Sequence, residues 1–242
     1  MTIEERLEKL EIELARVMDR CEDVVKAKQF ILVDDNGKTR ASLGMFEDGP
    51  GLALFDEKGK TLATLGVGKD GPRLRLFDEN GMPRAFLLVD KDGTALGLVD
   101  ENGEARACLT VVKDGPVLRL FDENGKIRSS LLVGKDGPRL VLAGKNGNSS
   151  AELVVLEGVP ALGLYDENGK LRAGLPVFKD GTMLGLYDEN GKLRTCLDVS
   201  KDGPVLKMAD ENGKRRAILG MDRGVPRLSL AGPNGKVWQA PP

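Results

Sequence analysis

The chain has 242 residues, 40% hydrophobic and 31% charged, with 36 basic and 38 acidic side chains giving a net charge of −2. No basic block offers an electrostatic footprint for nucleic acid. No apolar run approaches the ~20 residues that span a bilayer, and the absence of histidine removes the commonest general base and metal ligand.

Residues 2–28 carry a helical period. Ile3, Leu7, Leu10, Leu14, Val17, Cys21 and Val24 recur at spacings of 4 and 3, a heptad seam with Leu7, Leu14 and Cys21 at a and the others at d. Thr2 and Glu5 form a capping-box pattern at the start. The opening Met-Thr-Ile-Glu-Glu-Arg lacks the basic and apolar regions of a secretory signal. Leu at a, with β-branched residues at several d positions, predicts a coiled coil of three or more strands over residues 1–29. These seven residues are the expected trimerisation seam.

From Phe30 to the end, residues 30–242, the period changes. Turn glycines fall every 22 residues, from Gly37 and Gly59 through to Gly213 and Gly235, usually after Asp-Glu-Asn as in Asp78-Glu79-Asn80. A second turn, usually Lys-Asp-Gly-Pro as in Lys69 to Pro72, lies between them. Leucine fills one column from Leu52 to Leu228 and another from Leu43 to Leu219 without exception. Alternating apolar residues bounded by turn signals read as β-strands with one apolar face. About ten hairpin repeats, or some twenty strands, would form a meander of order 95 Å long at ~4.8 Å per strand.

Asn-Gly and Asp-Gly predict two-residue type I′ turns. At Asn80-Gly81 such a loop pairs Leu76 with Ala85 and Leu74 with Leu87. At Asp70-Gly71 it pairs Val67 with Leu74 and Leu65 with Leu76. Glu123 then falls opposite Lys126, Phe121 opposite Arg128 and Tyr165 opposite Arg172. The turn centres so placed alternate 10 and 12 residues apart, which predicts a sheet that creeps by two residues, ~7 Å, per repeat. Its apolar face needs a partner. A parallel coiled coil would supply identical chains, three of which facing inward would bury every Leu column.

Asp114-Gly115-Pro116 leading into Leu118 and Leu120, and Ala85-x-Leu87-x-Val89, follow a heptad segment. This format resembles the trimeric fibre shafts of adenovirus and reovirus and the fibres and needles of phage tails. Bacterial proteins of unknown role carry similar repeats. The resemblance implies a mainly β, elongated homotrimer, a β-prism or triple β-spiral with an N-terminal coiled coil. It implies a structural fibre, spacer or scaffold, placed either in the cytoplasm or in a phage or surface fibre. The chain ends at Val237–Pro242, directly after its last turn and without a receptor-binding head, so a spacer is expected before an adhesin.

No enzymatic activity, cofactor or metal is expected, because the acidic residues recur at turns in every repeat whereas a catalytic pair is singular. Asp90-Lys91-Asp92-Gly93 has the look of a calcium loop but lacks its closing Glu and reads as turn chemistry. The Arg column (Arg40, Arg84, Arg106, Arg128, Arg172, Arg194, Arg216) reads first as cross-strand pairing. The alternative is a glycan- or protein-binding face on which Tyr165, Tyr187, Arg172 and Arg194 meet a partner. The pattern breaks at Gly144 to Gly147, at Gly158-Val159-Pro160, at Gly224-Val225-Pro226 and at Gly232 to Gly235, with Ser150 and Trp238 in the Arg column. Pro176, inside a strand, predicts a ladder defect.

Overall fold

In a computed structural model, which describes residues 2–19 and 26–239, one helix precedes a single open sheet of twenty antiparallel strands. Helix α1 spans Ile3–Asp19. Thr2 Oγ1 accepts from the Glu5 N–H at 3.3 Å, and Glu5 accepts from the Thr2 N–H at 2.7 Å, so the expected capping box closes. Cys21 and Val24 of the heptad seam lie outside the described residues, as do the side chains of Leu14 and Val17.

The strands are β1 (Gln29–Val33), β2 (Thr39–Phe46), β3 (Gly49–Phe55), β4 (Thr61–Gly68), β5 (Gly71–Phe77), β6 (Pro83–Asp90), β7 (Gly93–Val99), β8 (Ala105–Val112), β9 (Gly115–Phe121) and β10 (Ile127–Gly134). They continue as β11 (Gly137–Ala143), β12 (Ser149–Leu156), β13 (Val159–Tyr165), β14 (Leu171–Phe178), β15 (Gly181–Tyr187), β16 (Leu193–Ser200), β17 (Gly203–Ala209), β18 (Arg215–Asp222), β19 (Val225–Ala231) and β20 (Val237–Gln239). Each strand touches only its neighbours in sequence, and α1 touches none of them. Among the described residues only Ala53, Val154, Cys196, Ser42 and the glycines Gly97, Gly174 and Gly185 are buried, so the sheet is a single layer without a core of its own.

The Asp-x-Asn-Gly turn is wider than the two-residue loop the sequence suggests. Asp78 N–H donates to Met82 O, Gly81 N–H donates to Asp78 O, and Gly81 alone takes a positive φ, +82°. This is a type I turn with a glycine bulge. Asp78 Oδ1 accepts from the N–H groups of Asn80 and Met82, at 2.8 and 3.0 Å, so the carboxylate itself closes the turn. Beyond the turn Phe77 faces Pro83, and a second bulge at Arg84 takes up one residue, so Leu76 still meets Ala85 and Leu74 still meets Leu87, as expected. Nearer the turn the expected pairs are displaced. Phe121 faces Ile127 and Tyr165 faces Leu171, while Glu123 and Lys126 lie within the turn.

The second turn corrects the expected register by two residues. Gly68 pairs with Gly71, so the loop is Lys69-Asp70, and Leu65 meets Leu74 rather than Leu76. A shift of two leaves every side chain on its face, which is why the alternation could not reveal it. The consequence is large. Because Leu65 pairs Leu74 and Leu74 pairs Leu87, each residue lies in line with its equivalent 22 positions later. The expected creep is absent, and both Leu columns merge into one straight row across the sheet.

Proline trims this second edge. With Pro72 in β5 the β5–β6 ladder ends at Arg73 and Leu88, whereas Thr94 in the same position of β7 extends the ladder to Val111. Proline has no N–H to offer that rung. Pro176 acts inside a strand as expected. Pairing of β14 with β15 skips Leu175 and Pro176, passing from Gly174–Gly185 to Val177–Thr182.

The breaks in the repeat also have local causes. Glu157 and Gly158 both take positive φ, +49° and +81°, as do Arg223 and Gly224. These two tips are type I′ turns, which need their glycine one place earlier than the Lys-Asp-Gly-Pro turn does. At the far end the turn keeps its glycine bulge, but β20 lacks the shift seen at Arg84, so Trp238 stands directly opposite Leu230. The sequence places Trp238 in the Arg column; the register puts it on the Leu face.

Candidate interaction faces

The Leu face carries six positions per repeat, exemplified by Ala63, Leu65, Val67, Pro72, Leu74 and Leu76. Across the sheet from Ala41 to Leu230 these positions hold only apolar residues, Ser or Thr, with no charge. Phe30 and Leu32 extend the face into β1, opposite Leu43 and Ala41. The row is open to solvent: Leu65 is 52% exposed and Leu153 53%. The plan area is about 1,700 Å² from strand spacing and rise, well beyond the 300–600 Å² of the largest patch on an ordinary monomer.

The opposite face is built differently. Its central row reads Ser42, Ala53, Thr64, Arg75, Phe86, Gly97, Cys108 and Arg119 across consecutive strands, with no constant residue. Rings lie over glycines here, where a side chain would otherwise be missing. A Cβ on Gly97 would strike the Phe86 ring, and one on Gly185 would come within 3.1 Å of Tyr187 Oη. Tyr165 likewise covers Gly163 and reaches Glu152. Burial first, and then the Glu152 carboxylate, push the Tyr165 hydroxyl above its ordinary pKa. Cys108 and Cys196 share this row as free thiols. They stand on β8 and β16, about 38 Å apart at ~4.8 Å per strand, too far for a bond within one chain. A groove of about 690 Å³ between β5 and β6 is walled by Phe86, Leu88, Met82, Arg73 and Arg75.

The Arg column pairs with carboxylates across its hairpins, as expected, and arginines such as Arg172 and Arg194 also staple their turn to the next. Arg194 Nη1 meets the carboxylate of its own turn, Asp188, at 3.4 Å, while its Nε donates to the Ala209 carbonyl beside the next turn, at 3.1 Å. Arg172 does the same between Asp166 (3.4 Å) and Tyr187 O (3.1 Å). Arg216 joins Asp210 to Gly232 O. Lysines add a parallel tie: Lys192 Nζ donates to Glu211 O at 2.9 Å and Lys170 Nζ to Glu189 O at 2.7 Å. The turn aspartates sit below the ordinary carboxylate pKa. For Asp188 the Lys192 backbone N–H is the main cause, opposed by burial and helped by the Asn190 N–H and Arg194.

This arrangement explains two of the three departures in the Arg column; the third, Leu62, keeps its turn carboxylate, Asp56, and has no such account. Where Asp becomes Gly144, the Arg becomes Ser150, and where it becomes Gly232 the Arg becomes Trp238. Anion and cation leave together, since an arginine here has no turn carboxylate to meet. At the first of these turns Asn148 replaces the lysine tie, donating from Nδ2 to Glu167 O at 2.8 Å.

Of the residues singled out from sequence, Ile3, Leu7 and Leu10 lie exposed along α1. Tyr165 and Tyr187 share the variable face with Arg172 and Arg194, whose donors already serve the turns. The staples were the functional residues that sequence reasoning missed; the paired loss of Asp and Arg was the signal for them. Among the described residues no helix is long and apolar enough to cross a membrane.

No known protein family matches this chain, and no curated protein sequence does. Among solved structures, the toxin complex TcdB2-TccC3 aligns over 92% of this chain at 13% identity with a TM-score of 0.22, and the chain spans 13% of that protein's length. A Photorhabdus luminescens Tc holotoxin pore aligns over 86% at 9% identity with a TM-score of 0.16, this chain covering 13% of it. A putative 6-phosphogluconolactonase from Bacteroides fragilis aligns over 86% of this chain and 82% of its own, at 13% identity with a TM-score of 0.19. Overlaps this low carry no argument about fold or activity.

Proposed function

We propose that the chain is a non-enzymatic structural element, a stiff spacer, fibre segment or scaffold. In this reading it is built as a parallel homotrimer whose copies close their Leu faces together behind a coiled-coil neck. The uncharged Leu face of a single-layer sheet carries the reading. The chain exposes 17758 Å², where a compact monomer of 26.1 kDa would expose about 10,600 Å². The excess of roughly 7,000 Å² exceeds what an obligate interface commonly buries from both partners. Burial of apolar surface is the main term that offsets chain entropy, and one layer alone provides too little of it. Three copies around one axis would cover all three faces at once, and the exposed Ile3, Leu7 and Leu10 of α1 would form the seam of the neck.

Light scattering on a sizing column tests this. About three times 26.1 kDa, eluting early for its mass, is the expected result, and Leu109→Asp should lower the mass while Arg119→Asp on the opposite face should not. A wild-type mass of 26.1 kDa sinks the proposal.

The varied opposite face favours a second reading, a glycan- or protein-binding module, since residues there differ between repeats while the Leu face does not. Glycan-array binding abolished by Tyr165→Ala with Tyr187→Ala, in a chain whose circular dichroism is unchanged, would support it. A blank array with the wild-type chain would remove its glycan-binding form.

A further inference from the structure

Among the described residues, nothing packs on the Leu face or on the exposed apolar residues of α1. They differ in what they can specify. The Leu face repeats without creep, because Leu65, Leu74 and Leu87 lie in one straight row and every repeat returns to the same position across the sheet. Its departures are close in size to what they replace: Ser129 and Thr195 for Ala, Met45 and Met221 for Val, Thr94 and Thr182 for Pro, Met208 for Leu. No charge on that face marks one repeat from the next, and the ladder gap at Leu175 and Pro176 leaves Leu175 in its place opposite Leu162. A copy moved along another by two strands, about 9.6 Å, therefore meets the same surface again. Only Phe30 at one end and Trp238 at the other change neighbours.

We infer that the Leu face binds a second copy of this chain without fixing its register, and that α1 supplies the register. This rests on the Leu face being a self-association surface, as proposed above. The face provides the area and α1 the address. Ile3, Leu7 and Leu10 occur once per chain, so α1 helices can align in one way only, and every repeat behind them is then held level. Without α1, a slip of one repeat gives up a single repeat of contact out of nine. The overhanging Leu strands would then recruit further copies, so the product would be ragged and open-ended. The polar edges of the sheet do not oppose a slip, because their staples join turn to turn within one chain, as Arg194 joins Asp188 to Ala209 O.

The test uses the full chain with Cys21, Cys108 and Cys196 replaced by Ser and a spin label on Lys113→Cys, an exposed turn tip. Distances between copies are measured with α1 intact and with Leu7→Asp and Leu10→Asp together, and masses are measured alongside. The intact helix should give one narrow distance and one mass. The double variant should still associate, with distances broadened upward as axial offsets in multiples of about 9.6 Å combine with the lateral separation, and a mass that grows with concentration. A single unchanged distance in the double variant would overturn the register role of α1 while leaving Leu-face assembly standing. A monomeric double variant beside an oligomeric parent would overturn it differently, since the Leu face would then not bind unaided. A monomeric parent would remove the assembly reading itself.

Discussion

Gly71 sits against the neighbouring hairpin so closely that a Cβ added to it would lie 2.1 Å from the Val89 carbonyl oxygen. Its φ of +120° is also one that an L side chain rarely adopts. The contact recurs at Gly93 with Val111 and at Gly115 with Val133, so one edge of the sheet is closed glycine to carbonyl. Gly71→Ala should cost about 1–3 kcal/mol through strain and displacement. Gly81→Ala meets nothing within 4 Å and should cost only the αL penalty, about 1 kcal/mol. Urea midpoints at one fixed protein concentration compare the two, and equal losses would refute the close-contact account.

At the other edge the staples predict an order of effects. Arg194→Leu, which copies the residue found naturally at Leu62, removes a partly exposed ion pair and should cost about 0.2–1 kcal/mol. Asp188→Ala removes the same pair and also strips the acceptor from the Asn190 and Lys192 N–H groups. It should therefore be the more damaging variant. In the double variant the losses should be less than additive, because both report one shared contact. Strict additivity in a thermal or urea series would show that the Arg194–Asp188 contact contributes nothing.

The same aspartates predict acid sensitivity. Asp34, Asp56, Asp78, Asp166 and Asp188 are each held below the ordinary value of 3.8, chiefly by a backbone N–H at the turn. A depressed folded-state pKa contributes stability that is fully present above the unfolded value and is lost as pH falls through the folded one. Stability from these turns should thus be flat from neutral pH to near pH 4 and fall below it. Replacing Asp188 by Asn should make that fall shallower. A decline that begins at pH 6 would point to other groups.

Pro176 marks the weak rung of the ladder. Pro176→Val restores an N–H between β14 and β15 opposite Met183, and amide exchange at Met183 should slow by several-fold. The global midpoint should move little, because losing proline also loosens the unfolded chain by about 0.4–1 kcal/mol, against a hydrogen bond of about the same size. Unchanged exchange at Met183 would show that the gap has another cause.

Much of this architecture was legible because its determinants are local. Ala-x-Leu-x-Val and Pro-x-Leu-x-Leu state a period of two, and the 22-residue glycines state where it is interrupted. That identified the strands, the Leu face and their number, and Pro176 announced its own defect. The candidate faces were less legible. Tyr165 and Tyr187 read as free aromatics, yet their rings cover Gly163 and Gly185. Whether a ring turns outward or lies over a glycine depends on what stands beside it in space, and the sequence spacing of these pairs is not unique to contact.

What the sequence determined by itself was the set of faces, because alternation assigns each side chain to one side of a strand whatever that strand pairs with. What only the tertiary structure decided was the register between strands. A shift of two residues preserves every face, so nothing in the pattern separates Leu65–Leu74 pairing from Leu65–Leu76. The choice falls to turn geometry. The two-residue turn between Gly68 and Gly71 and the bulge at Arg84 set it, and it in turn aligns the Leu row and places each arginine between two turns. Trp238 shows the converse: one missing bulge, and the same residue stands on the other face.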